Sequence, residues 1–206
     1  MSDVGDDILE ALQDVGMSVV ILRSGEVSPS SEKAVIKLNR QVTKPFTREF
    51  FREAQFAYNT AVVAGDTLRV TQTNEVFVVT NKSPKGFEDE VISYEATLYK
   101  CNVQGTLRRQ SGEARDANYR LAPVFVPVRH DCYALLTEGL FGHGIEEDEE
   151  LARIGLENNE CYMPGGYDPR LEDRFEPVSG EYYIVQSVKK RRFQNVYALE
   201  IKEDKR

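Results

Sequence analysis

Hydrophobic and polar positions alternate most regularly between Gly65 and Asn102. Leu68-Arg69-Val70, Val76 to Val79 and Val91 to Cys101 are runs rich in Val, Ile, Thr, Tyr and Phe. Thr73-Asn74-Glu75 and Asn81 to Gly86 (NKSPKG) separate them with turn-forming residues. That succession predicts an antiparallel meander. In the third run Ile92, Tyr94, Ala96 and Leu98 share one face, and Ser93, Glu95 and Thr97 the other, which is the period of a half-buried strand.

Upstream, Asp6 to Val15 predicts a short helix with Ile8, Leu9, Leu12 and Val15 as its apolar stripe and Gly16 as its stop. Ser18 to Arg23 predicts a strand, and Ala34 to Leu38 a second strand pairing back on it. Lys44 to Tyr58 (KPFTREFFREAQFAY) concentrates aromatic residues. Pro45 suits the opening of a helix there, and Phe46, Phe50, Phe51 and Phe56 equally suit an irregular plug at the end of a barrel. On either reading these rings are core.

Residues 103–178 break the alternation. Val103 to Asn118 is polar and dotted with Gly, Leu121 to Val128 (LAPVFVPV) is apolar but punctuated by Pro, and Asp131 to Leu140 fits a helix or a strand. Gly142 to Glu150 and Asn158 to Pro177 read as loops. A stretch this long with so little period is not an ordinary connection, so it is expected as an inserted arm. Alternation returns from Tyr182 to Ile201, a hairpin that is a shorter copy, in pattern, of Val76 to Leu98. The expected architecture is mainly β: a small antiparallel β-barrel or sandwich with a short N-terminal helix. Its core is 16–102 and 180–202, closed by the last hairpin across an irregular arm at 103–178.

Charge narrows the function. The formal net charge is -8 on 206 residues, which argues against binding nucleic acid by neutralising phosphates. No apolar run approaches a membrane span, and the acidic N-terminus lacks the basic start of a signal peptide. Cys101, Cys132 and Cys161 have no CxxC spacing and read as reduced, structural thiols.

Candidate chemistry is sparse. His130-Asp131-Cys132 invites a catalytic or metal reading, but neighbours on a strand point to opposite faces. His143 beside Glu146 to Glu150 lacks the ligand spacing of a calcium loop. Gly165-Gly166 and Gly142-x-Gly144 lack the strand-and-helix setting of phosphate loops. Arg108, Arg109, Arg115 and Arg120 fit a protein interface better than a nucleic-acid one. No catalytic residue, cofactor or metal is therefore expected. Leu121, Val124, Phe125, Val126, Leu140, Phe141, Ile145 and Met163 are the expected contact residues. They are too apolar for a free linker, and Pro123, Pro127, Pro164, Pro169 and Pro177 oppose regular structure that hides them.

Gly16 to Val20 (GMSVV), Thr43 to Phe46 (TKPF), Gly65-Asp66, Phe77 to Val79 and above all Tyr94 to Asn102 (YEATLYKCN) resemble the head–tail joining proteins of tailed bacteriophages. The likeness covers residues 1–115, and the arm departs from it. It implies a small β-barrel in the neck of a virion, a stopper or adaptor, with no enzymatic activity. It also implies a homo-oligomeric ring, hexamer or dodecamer, that meets portal or adaptor proteins on one side and tail-terminator or tail proteins on the other. DNA would pass through the lumen without specific binding, and no membrane is involved. A tail or baseplate subunit is the nearest alternative, and a β-barrel enzyme or ligand binder, or an OB-like nucleic-acid module, the alternatives from other classes.

Overall fold

A computed structural model of the chain describes residues 3–23, 29–38, 49–115, 119, 121–137 and 159–204. The protein is mainly β, with one α-helix, α1 (Asp3–Val15), one 3-10 turn at Gly165–Tyr167 and twelve strands among the described residues. The strands are β1 (Met17–Leu22), β2 (Ser30–Leu38), β3 (Phe51–Ala57), β4 (Thr67–Val70), β5 (Val76–Phe87) and β6 (Glu90–Lys100), followed by β7 (Val103–Arg115), β8 (Leu121–Thr137), β9 (Asn159–Pro164), β10 (Arg174–Val178), β11 (Glu181–Lys189) and β12 (Val196–Glu203).

They make two closed barrels rather than one. The first runs β1-β2-β3-β6-β5-β4, with β4 pairing back on β1. The second runs β7-β8-β9-β12-β11-β10, with β10 pairing back on β7. Adding six to each strand of the first order reproduces the second. The chain also divides into two compact units, one of Met1–Cys101 with Phe193–Val196 and one of the rest.

The first barrel follows the alternation closely. Val19, Ile21, Phe56, Leu68, Phe77, Val79 and Leu98 are fully or almost fully buried in one cluster, against which Tyr94 packs. Helix α1 packs against β2, β3 and β6 and buries Leu12, while Val15 is exposed and stands off the expected stripe. Gly16 ends the helix by donating its amide to the Leu12 carbonyl at 2.9 Å. A side chain there would press on that same carbonyl.

Three expectations are corrected. Residues 51–57 form β3, not a helix, because pairing on both edges to β2 and β6 outweighs the Pro45 signal. Asn81 to Gly86 is not a turn. β5 continues through it, and the chain reverses at Glu88-Asp89, both at positive φ (46° and 65°). The hairpin β11–β12 does not close the first barrel. It closes the second, whose other strands come from the supposed arm. Leu107, Cys132, Cys161, Met163, Phe175, Val185, Leu199 and Ile201 form its core. The arm looked irregular because register shifts interrupt β7–β8 at three places. Each bulge resets the inside–outside alternation.

Candidate interaction surface

Both barrels share a clasp at the start of β4 and of β10. In the first, Arg23 Nε donates to Asp66 Oδ1 and Nη2 to Oδ2, each at 2.8 Å, and Nη2 also donates to the Ala61 carbonyl at 2.6 Å. In the second, Arg109 donates to both oxygens of Asp173 and to the Asp168 carbonyl, each at 2.9 Å. The Val63 amide caps Asp66, and the Arg170 amide caps Asp173, each three residues upstream. Gly65 donates its amide to the Val79 carbonyl and Val79 donates back to Asp66 in the first clasp, as Glu172 donates to Val185 and Val185 to Asp173 in the second. Gly65 (φ 94°) and Glu172 (φ 64°) are both left-handed. Each arginine is 28% exposed and each aspartate almost completely buried. The clasps hold loops in place and leave no cation or carboxylate over for chemistry.

Beyond the second clasp the β7–β8 ribbon outruns its barrel. β10 covers β7 only from Thr106 to Arg108, and β9 covers β8 only from Leu135 to Thr137. From Arg109 to Arg115, β7 pairs with β8 alone among the described residues. Leu121 is 67% exposed, Val124 39% and Val126 41%. Val124 pairs with Gly112 and Ala122 with Ala114, so small apolar groups line one face there. Phe125 is half-buried, its ring 4.1 Å from the Arg174 guanidinium. That guanidinium also pairs with Asp204. Four of the expected contact residues, Leu121, Val124, Phe125 and Val126, therefore meet on one element.

The other expectations resolve differently. Met163 is fully buried in the second barrel, on the same face of β9 as Cys161. It is core, not contact. Leu140, Phe141, Ile145, His143, Phe46 and Arg120 lie outside the described residues. Arg108 pairs with Glu176 at 2.7 Å. Burial alone would raise the Glu176 carboxyl, but the Arg108 hydrogen bond, the Gly180 amide and the Arg108 charge together hold it below the usual glutamate range.

His130-Asp131-Cys132 is a bulge. Asp131 is left-handed (φ 56°) and accepts from Gln104 at 2.7 Å. Cys132 is buried, and that burial pushes its thiol up to about 11 against smaller opposing effects of the Leu107 backbone and Arg129. His130 is exposed. Among the described residues no three His, Cys, Asp or Glu side chains gather as a metal site.

A groove of about 340 Å³ lies between α1 and the first barrel, lined by Leu9, Leu12, Ser18, Glu32 and Lys33 among others. Glu32 is engaged by the Thr60 hydroxyl and the Ala61 amide, and Lys33 by the Gly16 carbonyl. Its charges are spent on the fold. Among the described residues no helix is long and apolar enough to cross a membrane.

Comparison with known proteins adds little. No protein-family model matches the chain, and no curated protein matches it. One solved structure, described as K. pneumonia MrkH in its apo state, aligns at 8% identity over 98% of this chain and 83% of that one. Its TM-score is 0.24, too low to carry a family or a fold.

Proposed function

We propose that this protein is a structural subunit that works by assembling with copies of itself, and that its place is the head–tail neck of a tailed-phage virion. The β7–β8 ribbon carries the reading. A monomer gains nothing from strands that outrun their barrel with Leu121, Val124, Val126 and Val128 in water. An assembly gains an interface from them.

Two further observations support it. The fixed charges in both clasps and in the α1 groove are committed to the fold, which leaves no convergent polar pocket for turnover at these sites among the described residues. The net charge of -8 suits a ring around DNA, because a repulsive lumen lets the duplex slide.

Negative-stain micrographs of the concentrated full chain test the proposal. Closed rings with an open centre are expected. Monodisperse monomers under all assembly conditions would sink it. His130→Ala should leave such rings unchanged, since the exposed imidazole does no chemistry in this reading.

A further inference from the structure

We infer that the outer edge of β7 at Glu113–Arg115 pairs antiparallel with the same edge of a second copy, about a two-fold axis through Ala114. Three observations lead there.

The first is that the ribbon is an addition to the repeated barrel. From the clasp arginine to the end of the next strand, Arg23 to Leu38 spans 15 positions and Arg109 to Thr137 spans 28, a difference of 13. The first barrel closes without those extra residues, so the fold does not need them.

The second is which edge is open. Proline has no amide proton, so in a strand paired on one side its nitrogen faces away from the partner. Pro123 and Pro127 lie four apart on β8, and the register shift between them, at Gln110/Gly112, puts its extra residue, Ser111, on β7, so β8 itself keeps its alternation there. The outer edge of β8 therefore lacks a donor at every second outward position, which protects an edge against further pairing. Pro123 stands opposite Glu113. In an antiparallel ladder directly opposed residues share their orientation, so the amide and carbonyl of Glu113 also face outward, and those of Arg115 two residues on. β7 has no proline, and β10 stops at Arg108. Among the described residues the open edge is thus on β7.

The third is charge, which chooses both occupant and register. A two-fold axis through Glu113 would set Glu113 against its own copy, and one through Arg115 would set two arginines together. An axis through Ala114 sets Glu113 opposite Arg115 twice. That register alone joins outward-facing backbone to outward-facing backbone and opposite charge to opposite charge. Glu113 and Arg115 are both exposed, and Gly112 and Ala114 leave the other face low enough for the two apolar stripes to run together. The occupant that fits is a second copy of this chain, added by strand pairing.

A two-fold contact closes on itself and cannot propagate a ring. The β7 edge would therefore join two copies, and a ring needs a second contact elsewhere on the chain.

Sedimentation equilibrium of the full chain tests it. A dimer is expected, with Glu113→Lys or Arg115→Glu alone raising its dissociation constant about tenfold and E113K/R115E together restoring it. Amide exchange at Glu113 and Arg115 should slow as protein concentration rises. Arg115→Pro, which removes an outward donor but no bond within the ribbon, should abolish the dimer while the circular dichroism stays unchanged. A monomer at every concentration, or losses that add in the paired variant, would overturn the inference. Ring formation by the same variants reads the neck proposal separately, since rings that persist without the dimer leave that proposal standing.

Discussion

At the scale of single residues, the two clasps are the most consequential contacts. Asp66 and Asp173 are nearly completely buried, and a guanidinium grips both oxygens of each. Removing the grip leaves a buried carboxylate with backbone amides alone. Arg23→Met and Arg109→Met should each cost about 3 kcal/mol, measured by urea unfolding. Lysine in either place should recover little, since an ammonium cannot span both oxygens and the carbonyl together. Glu176 gives a pH signature. Its folded carboxyl lies below its unfolded value of 4.5, so its contribution is present above that value and fades as pH falls through the folded one. Arg108→Gln should flatten that acid-side loss. Cys132 should resist iodoacetamide in the folded protein at neutral pH and react readily in denaturant, because its thiol is pushed up to about 11.

At the scale of elements, what could be read from the sequence followed the ladders with the fewest interruptions. β4, β6 and β12 keep period two and were legible, as were β11, despite one shift between Val185 and Ser187, and the likeness of the last hairpin to Val76–Leu98. Those pairs turn out to occupy the same places in their barrels. β7 and β8 were obscured by register shifts, and β8 and β10 also by prolines that an edge tolerates. The clasps were invisible, since Arg23 and Asp66 are 43 residues apart and Arg109 and Asp173 are 64 apart. No local pattern joins such partners. The ribbon was visible as apolar residues without period, but not as a strand pair. The turn between β5 and β6 carries Glu88 and Asp89 where Asn-Gly is preferred. Glu88→Asn with Asp89→Gly should therefore stabilise the first barrel by about 1 kcal/mol, seen as a higher urea midpoint.

At the scale of the whole molecule, each barrel has its own core and its own set of consecutive strands. Truncating Phe56 should loosen amides of the first barrel, and truncating Phe175 those of the second, each by about 3–5 kcal/mol of local stability in hydrogen exchange. Equal loosening in both would show one cooperative unit. The matched clasps and matched strand order are what two copies of one module would leave after their sequences diverged.

The contiguity of those strand sets bears on synthesis. β1 to β6 occupy an unbroken run that ends at Lys100, and β7 begins at Val103. Every strand of the first barrel has left the ribosome before the second has any. The first can close while its successor is still being translated, and the emerging β7 meets a finished neighbour with few free edges to mispair with. The second barrel waits for β12, and β7–β8 must persist as a lone hairpin in the interval. Force on a stalled nascent chain should rise once when residue 101 clears the tunnel, and again only when residue 203, the end of β12, has cleared it.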